Sequence, residues 1–264
     1  MTETKIYKLA VFERGSGKPL VMLHGMISTH RYWNQVIELL PQNKWRVISP
    51  DLLGFGDSPK PKDALYNVDE SIETIDTAIT SVAMPPYVVV GHSMGAGLAL
   101  QWAVAKPYLF KSLVLTSMPL LWSESRYRQL STIVESRLFK REKIAKAGVR
   151  TLNWVSAMPL SLLKRQKKWP EHITEDLKKH SRKAYRKILK NAVLADEMLN
   201  LAKKVNVPTH IIIGSRDGMI DEAGREKLKK ISKTNKNVTL EIVDSAHNLP
   251  LEHPEIIAKA IMQV

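Results

Sequence analysis

The chain of 264 residues contains no cysteine. A protein without cysteine has no disulfide framework, no thiolate metal site and no cysteine nucleophile. Aromatic residues are also scarce, at 6% of the sequence. No nucleic-acid-binding motif accompanies them, so nucleic acid is the least favoured class of partner.

Long apolar stretches are absent as well. No run approaches the roughly 20 apolar residues that span a bilayer, and residues 1–5 lack the basic start and apolar core of a signal peptide. The sequence therefore predicts a cytoplasmic protein without a transmembrane segment. Residues 15–19 (G-S-G-K-P) do not match the phosphate-binding loop G-x-x-x-x-G-K-[ST], so a nucleotide site is not indicated there.

Positive charge is abundant but unevenly distributed. The net charge is +14, and residues 120–200 contain 19 Lys and Arg against 8 Asp and Glu, whereas the remainder contains 21 against 18. We call residues 120–200 the basic segment. Two interpretations stay open: a solvated helix face, or a landing surface for an anionic substrate, an acidic carrier protein or an anionic membrane surface.

Strand-like and helix-like patterns alternate on both sides of the basic segment. This alternation predicts an α/β fold with a mostly parallel sheet and helices on both faces, built from residues 1–119 and 201–264. Residues 4–13 are expected to form an edge strand. The basic segment shows only helical patterns. We therefore predict a helical cap inserted over the carboxyl ends of the strands, where open α/β sheets bind ligands.

The stretch that begins at residue 87 gives the strongest indication of function. Residues 87–90 predict a buried strand, residues 91–95 (G-H-S-M-G) match G-x-S-x-G, and small residues follow. A G-x-S-x-G between a strand and a helix is a nucleophile elbow, in which the strained turn presents the hydroxyl of Ser93. The alternative is a glycine-rich turn with a spectator serine, and the presence of partner residues decides between them.

A serine nucleophile needs a base to take its proton and a carboxylate to orient that base. His247 directly follows the last predicted strand, and His253, at the start of the final helix, is its rival. Asp217 follows the preceding strand, and Asp221 is the fallback. The chain order Ser93, Asp217, His247 places three catalytic roles at three separate strand ends.

Acyl transfer also needs donors for the oxyanion, and backbone N–H groups can supply them. The N–H of Met94 begins the elbow helix, and the N–H of Met26 lies in the loop after an early strand. His24 and His92 flank the site on apolar strands and are interpreted as core histidines rather than catalytic ones.

Apolar residues near these positions predict a pocket for an apolar acyl group. The alternative for each of them is packing between cap and core. The predicted pocket residues are Ile27, Met118, Trp122, Trp154 and Leu249.

These motifs resemble the α/β-hydrolase superfamily, and more narrowly its small capped serine esterases and hydrolases with an H-G-x oxyanion loop. The matching residues are 24–26, 51–58, 91–95, 214–217 and 245–247. The resemblance implies a sheet of about eight strands and an intact triad in a cofactor-free hydrolase. Ser93 argues against the dehalogenases and epoxide hydrolases of the superfamily, which use an aspartate at the elbow.

We therefore expect a serine hydrolase acting on a small-molecule carboxylic ester or related acyl compound. C–C bond hydrolases, lyases and perhydrolases of the superfamily can carry the same triad, so these activities stay open. A further alternative, from another class, is a low-turnover ligand-binding or docking protein that uses the basic segment as its interaction surface.

Overall fold

A computed structural model describes residues 5–120, 171–176, 179–191 and 198–264. Most of the basic segment, with Trp122 and Trp154, lies outside the described residues. The predicted division into core and cap stays a prediction for that reason.

The described residues contain one sheet of seven strands. Its spatial order is β1-β3-β2-β4-β5-β6-β7. β1 runs antiparallel to β3, and every other neighbouring pair is parallel. The predicted α/β class is confirmed. The strands are β1 (Val11–Arg14), β2 (Lys18–Leu23), β3 (Trp45–Pro50), β4 (Tyr87–His92), β5 (Phe110–Thr116), β6 (Thr209–Gly214) and β7 (Val238–Val243).

The described sheet has seven strands, close to the expected number of about eight. One expectation about the sheet needs correction. The edge strand predicted over residues 4–13 is limited to β1, and residues 5–10 are irregular. Pairing is incomplete at Ala10, whose carbonyl accepts from the N–H of Asp51 at 2.8 Å while its N–H donates to Ser58 Oγ at 2.9 Å.

Helices cover both faces of the sheet. They are α1 (Asn34–Glu38), α2 (Val68–Thr80), α3 (Met94–Ala105), α4 (Glu171–Asp176), α5 (Arg182–Asn191), α6 (Met198–Lys204), α7 (Glu222–Thr234), α8 (Leu249–Glu252) and α9 (Pro254–Met262). None of the described helices has the length and apolar character that a membrane crossing requires.

Strand residues alternate between two apolar cores. Val21 and Val89 belong to the larger core, which packs α2, α3, α6 and α7 against one face. Leu20 and Val88 belong to the second core, which packs α1 and α9 against the other face. Successive side chains of a strand point to opposite faces, so strands covered on both sides must be apolar throughout. This explains the continuous run V-V-V in β4.

The loop after β3 is fastened to the loop after β2 by the buried carboxylate of Asp51. Its Oδ1 accepts hydrogen bonds from the N–H of His30 at 2.7 Å and from His30 Nδ1 at 2.8 Å. Its Oδ2 accepts from the N–H of Asp57 at 2.7 Å. Burial alone would raise the pKa of Asp51, but these donors outweigh it and lower the pKa to about 2.

Helix α4, from the basic segment, contacts the same region. The buried carboxylate of Asp176 accepts hydrogen bonds from Thr29 Oγ1 at 2.6 Å and from Arg31 Nε at 3.0 Å. Arg31 Nη2 also donates to it. The loop after β2 is therefore held from one side by Asp51 and from the other by Asp176.

These contacts predict an acid-sensitive contribution to stability from Asp51. Because its pKa is depressed on folding, the contribution is complete above the unfolded pKa and is lost as the pH falls through the folded value. Asp51→Asn should lower the free energy of unfolding at pH 7 by about 2 kcal/mol. The difference from wild type should shrink by about 1 kcal/mol between pH 6 and pH 3.

Urea unfolding at several pH values measures this difference. Asp57→Asn is the control, because the Asp57 side chain is 60% exposed and pairs only with the partly exposed Lys179 among the described residues. It should change stability by less than about 0.5 kcal/mol. A pH-independent gap between wild type and Asp51→Asn would contradict the assignment.

Candidate active site

Ser93 lies at the turn between β4 and α3. Its backbone has φ 52° and ψ −117°, a conformation that L-residues rarely adopt. The Ser93 N–H donates to the carbonyl of Thr116 at 2.9 Å, which ties the turn to the end of β5. A strained nucleophile candidate held by its neighbours is what an elbow requires.

Gly95 shows why the turn has to be glycine-rich. A Cβ at this position would lie 2.2 Å from the carbonyl oxygen of Leu23 and 2.6 Å from that of His24. Both contacts are with backbone, which cannot move aside as a flexible side chain does. Helix α3 therefore begins directly against the end of β2, and that contact sets the position of Ser93.

His247 lies in the loop between β7 and α8 and contacts both predicted partners. Its Nδ1 is 3.0 Å from each carboxylate oxygen of Asp217. Its Nε2 is 3.0 Å from Ser93 Oγ. Because a carboxylate only accepts, Nδ1 carries the proton, and Nε2 is left to accept from the serine hydroxyl.

Asp217 follows β6 and is 1% exposed. Burial alone would raise its pKa, but the interaction with His247 and the N–H of Met219, which donates to Oδ1 at 2.9 Å, hold the pKa below its ordinary value. A buried carboxylate that stays ionised can orient an imidazole and stabilise its protonated form.

The two rival residues lie elsewhere. Asp221 is the N-cap of α7, and its Oδ1 accepts from the N–H of Gly224 at 2.8 Å. His253 precedes α9, and its Nδ1 lies 3.3 Å from Glu255 Oε1 at the surface.

The loop after β2 approaches Ser93 directly. A Cβ on Gly25 would lie 3.3 Å from the Ser93 Cβ. Ile27 has φ 57°, a strained conformation for a β-branched residue. Met94 is the first residue of α3, so its N–H has no acceptor within the helix. The predicted oxyanion donors, the N–H groups of Met26 and Met94, thus belong to two segments that meet beside Ser93.

The two histidines interpreted as core residues are both buried. His24 Nε2 accepts from the N–H of Leu52 at 2.9 Å, and Nδ1 donates to the carbonyl of Gly25 at 2.7 Å. Burial lowers the pKa of His24. His92 differs because its Nε2 lies 2.9 Å from the carbonyl oxygen of His247. Sequence reasoning missed this contact.

The His247 loop has two further supports that the sequence did not reveal. The half-buried carboxylate of Glu252 accepts from Ser245 Oγ and from the N–H of Ala246, each at 3.0 Å. Tyr32 Oη donates to Asn248 Oδ1 at 3.2 Å. A glutamate five residues after a histidine forms no recognisable motif, so no local signal could have indicated the first contact.

The predicted pocket residues fall into three groups. Met118 and Leu249 have no exposed surface and belong to the two cores. Ile27 is partly buried against the larger core. Trp122 and Trp154 lie outside the described residues. The part of the chain that the structure describes holds no group of three or more His, Asp or Glu arranged to bind a metal.

A family model described as alpha/beta hydrolase fold matches residues 18–254. The chain belongs to the alpha/beta hydrolase family. The resemblance found in the motifs is therefore confirmed at the level of the family.

Curated relatives of this alpha/beta hydrolase have differing names. Probable lysophospholipase BODYGUARD 4 of Arabidopsis thaliana is 26% identical over 224 residues, which are 76% of this chain and 53% of that protein. The 2-hydroxymuconate semialdehyde hydrolase of Pseudomonas sp. (strain CF600) is 36% identical over 106 residues, 39% of this chain and 37% of that protein. The chain thus spans about half the length of the first relative and less of the second.

Solved structures share the architecture. E-2-(acetamidomethylene)succinate hydrolase superposes with a TM-score of 0.74 at 22% identity, covering 97% of this chain and 94% of that chain. An esterase (EaEST) from Exiguobacterium antarcticum gives 0.74 at 17% identity, covering 97% and 95%. At these identities the likeness extends to the fold alone.

The contact at Gly95 generates a prediction about the elbow. Gly95→Ala should destabilise the fold by about 3 kcal/mol, because the added methyl group meets immobile backbone. Gly97→Ala is the matched control on the same helix, since its Cβ would meet only the flexible Met198 Sδ, at 3.3 Å. Thermal and urea unfolding measure both variants. Equal stability losses would mean that the approach of α3 to β2 is not a constraint.

Proposed function

We propose that this alpha/beta hydrolase is a serine hydrolase that cleaves a carboxylic ester or related acyl compound. The observation that carries the proposal is the continuous hydrogen-bonded chain from Ser93 Oγ through His247 to Asp217. Nucleophile, base and orienting carboxylate are within reach of one another, at distances suited to proton transfer.

Acylation follows from this geometry. His247 Nε2 takes the Ser93 hydroxyl proton while Oγ attacks the substrate carbonyl carbon. The negative charge on the tetrahedral oxygen is stabilised by the N–H groups of Met26 and Met94. His247 then gives the proton to the leaving group, and the acyl group stays on Ser93.

Deacylation repeats the sequence with water. His247 takes a proton from the water that attacks the acyl-enzyme, and returns it to Ser93 as the acid product leaves. Asp217 stabilises the imidazolium formed in each half-reaction, because it stays ionised and hydrogen-bonded to Nδ1.

An apolar acyl group is the substrate part that the residues favour. Ile27 directly follows the candidate oxyanion donor Met26, and we propose that Trp122 and Trp154 complete the pocket with it. Met118 and Leu249, the other predicted pocket residues, are fully buried and pack in the two cores. The name of the BODYGUARD relative, a probable lysophospholipase, supports an ester substrate. The net positive charge of the basic segment supports an anionic group on the substrate or its carrier.

A second candidate is hydrolysis of a C–C bond. One observation favours it: a relative that is 36% identical over 106 residues is named 2-hydroxymuconate semialdehyde hydrolase. Both reactions begin at a carbonyl group beside Ser93, Asp217 and His247. They differ in the leaving group, which is an oxygen in ester hydrolysis and a carbon in C–C hydrolysis. Assays on an ester and on 2-hydroxymuconate semialdehyde distinguish the two.

The first test is hydrolysis of p-nitrophenyl esters of increasing acyl length by wild type and Ser93→Ala. We expect the variant to lose about 10³-fold or more in kcat, because removing the nucleophile removes the acyl-enzyme route. The profile over acyl length measures the apolar pocket. Equal turnover by both proteins would contradict the proposal.

The rival residues supply matched controls for the triad. His247→Gln and Asp217→Asn should each lose at least about 10³-fold in kcat. His253→Gln and Asp221→Asn should keep their activity, although the second loses a helix cap worth about 1 kcal/mol of stability. A loss of activity in the rival set alone would transfer the role to those residues.

A covalent probe tests whether Ser93 is an activated nucleophile, independently of which ester is chosen as substrate. A phosphonate ester that phosphonylates activated serines should add one group to the protein, at Ser93, and none to Ser93→Ala. Mass spectrometry of the intact protein and its peptides measures this. Absence of labelling together with salt-sensitive binding of an acidic partner would favour the docking alternative.

A further inference from the structure

His92 is the last residue of β4 and is 4% exposed. Its ring is stacked on that of Tyr32, with centroids 4.8 Å apart, and lies 5.1 Å from the ring of His247. A Cβ on Gly25 would lie 2.9 Å from His92 Nδ1. One buried side chain thus contacts the candidate oxyanion loop, the candidate base and Tyr32 in the helical turn before α1.

The hydrogen bonds of His92 determine its tautomer. Nε2 lies 2.9 Å from the carbonyl oxygen of His247, and a carbonyl can only accept, so Nε2 carries the proton. Nδ1 is then unprotonated, and it has no hydrogen-bond partner among the described residues. A buried ring nitrogen left without a partner is costly, so the Nε2–H contact has to compensate for it.

The ring stays neutral in these surroundings. Burial is the main cause, and the neighbouring His247 the second, of a pKa of His92 that is lowered to about 3. The other titratable groups around it are Tyr32, Asp217 and His24. When His247 takes up a proton during the reaction, no second cation opposes it at 5.1 Å.

Two consecutive residues of the His247 loop are held in this way. His92 donates to the backbone of His247, and Tyr32 Oη donates to Asn248 Oδ1 at 3.2 Å. The distance of 3.0 Å between His247 Nε2 and Ser93 Oγ depends on the position of this loop.

We propose that His92 is a positioning residue, whose neutral Nε2–H holds the His247 backbone so that the imidazole stays within reach of Ser93. This inference rests on the proposed function, in which His247 is the base. His92 does not touch the reacting atoms in it.

Three variants test the role. His92→Gln places an amide N–H as many bonds from Cα as His92 Nε2, so it can still donate to the His247 carbonyl. His92→Asn is the matched control, because its amide N–H is one bond closer to Cα and does not reach the His247 carbonyl. His92→Phe keeps a ring but has no donor. We expect kcat to fall between about 10- and 100-fold in His92→Asn and His92→Phe, with KM nearly unchanged. In His92→Gln we expect kcat to fall less than about 5-fold.

The outcome separates positioning from packing. If His92 acts only by packing, His92→Phe, which keeps a ring, should be the most active variant. His92→Gln and His92→Asn should then be equally impaired. That order would overturn the proposal. Thermal unfolding of each variant identifies any loss of kcat that comes from a loss of folded protein.

A measurement that needs no turnover separates this inference from the proposed function. Nitrogen-15 spectra of the histidine side chains in wild type should show one ring protonated at Nε2 alone, with no titration between pH 5 and 8. Its signal should be missing in His92→Gln. A His92 ring that is protonated at Nδ1 or that titrates in this range would overturn the inference, even if Ser93-dependent hydrolysis is observed. If His92 shows the expected tautomer but no Ser93-dependent hydrolysis is observed, the proposed function is contradicted, while the hydrogen bond by which His92 holds the His247 backbone stands.

Discussion

Three stretches of backbone meet at Ser93 with almost no space between them. The end of β4, the start of α3 and the loop after β2 are so close that a methyl group on Gly95 would overlap two carbonyl oxygens. The turn is consequently strained, with φ 52° at Ser93. Such strain persists only where surrounding structure over-determines it, and the packed cores on both faces of the sheet supply that support.

Around this contact, the positions of the histidine ring protons follow from neighbouring groups that can only accept, or only donate, a hydrogen bond. The carboxylate of Asp217 requires a proton on His247 Nδ1, and the His247 carbonyl requires one on His92 Nε2. The N–H of Leu52 requires an unprotonated Nε2 on His24. His24 and His92 are buried, so water offers them no alternative partner and each of these two rings is limited to one tautomer. In the proposed function, the hydrogen bond to Asp217 therefore prepares His247 as the base before any substrate arrives.

The family relationship sets the scaffold and leaves the substrate open. Two curated relatives are named as a probable lysophospholipase and a 2-hydroxymuconate semialdehyde hydrolase, and a solved structure with the same fold is named as an esterase. One sheet edge can serve such different reactions because specificity lies in the loops and insertions around it. In this chain, helix α4 of the basic segment is joined by an ion pair between Asp176 and Arg31 to the stretch that follows the candidate oxyanion loop.

The sequence alone determined the sheet class, the elbow and the strand ends that carry Ser93, Asp217 and His247. These follow from local patterns, because a short apolar run between turns or a G-x-S-x-G turn constrains the backbone where it occurs. Tertiary structure alone decided that β1 is short and that His92, Tyr32 and Glu252 hold the His247 loop. His92 and His247 are 155 positions apart. A contact over that separation depends on how β4 and β7 are placed in the sheet, which no local pattern records.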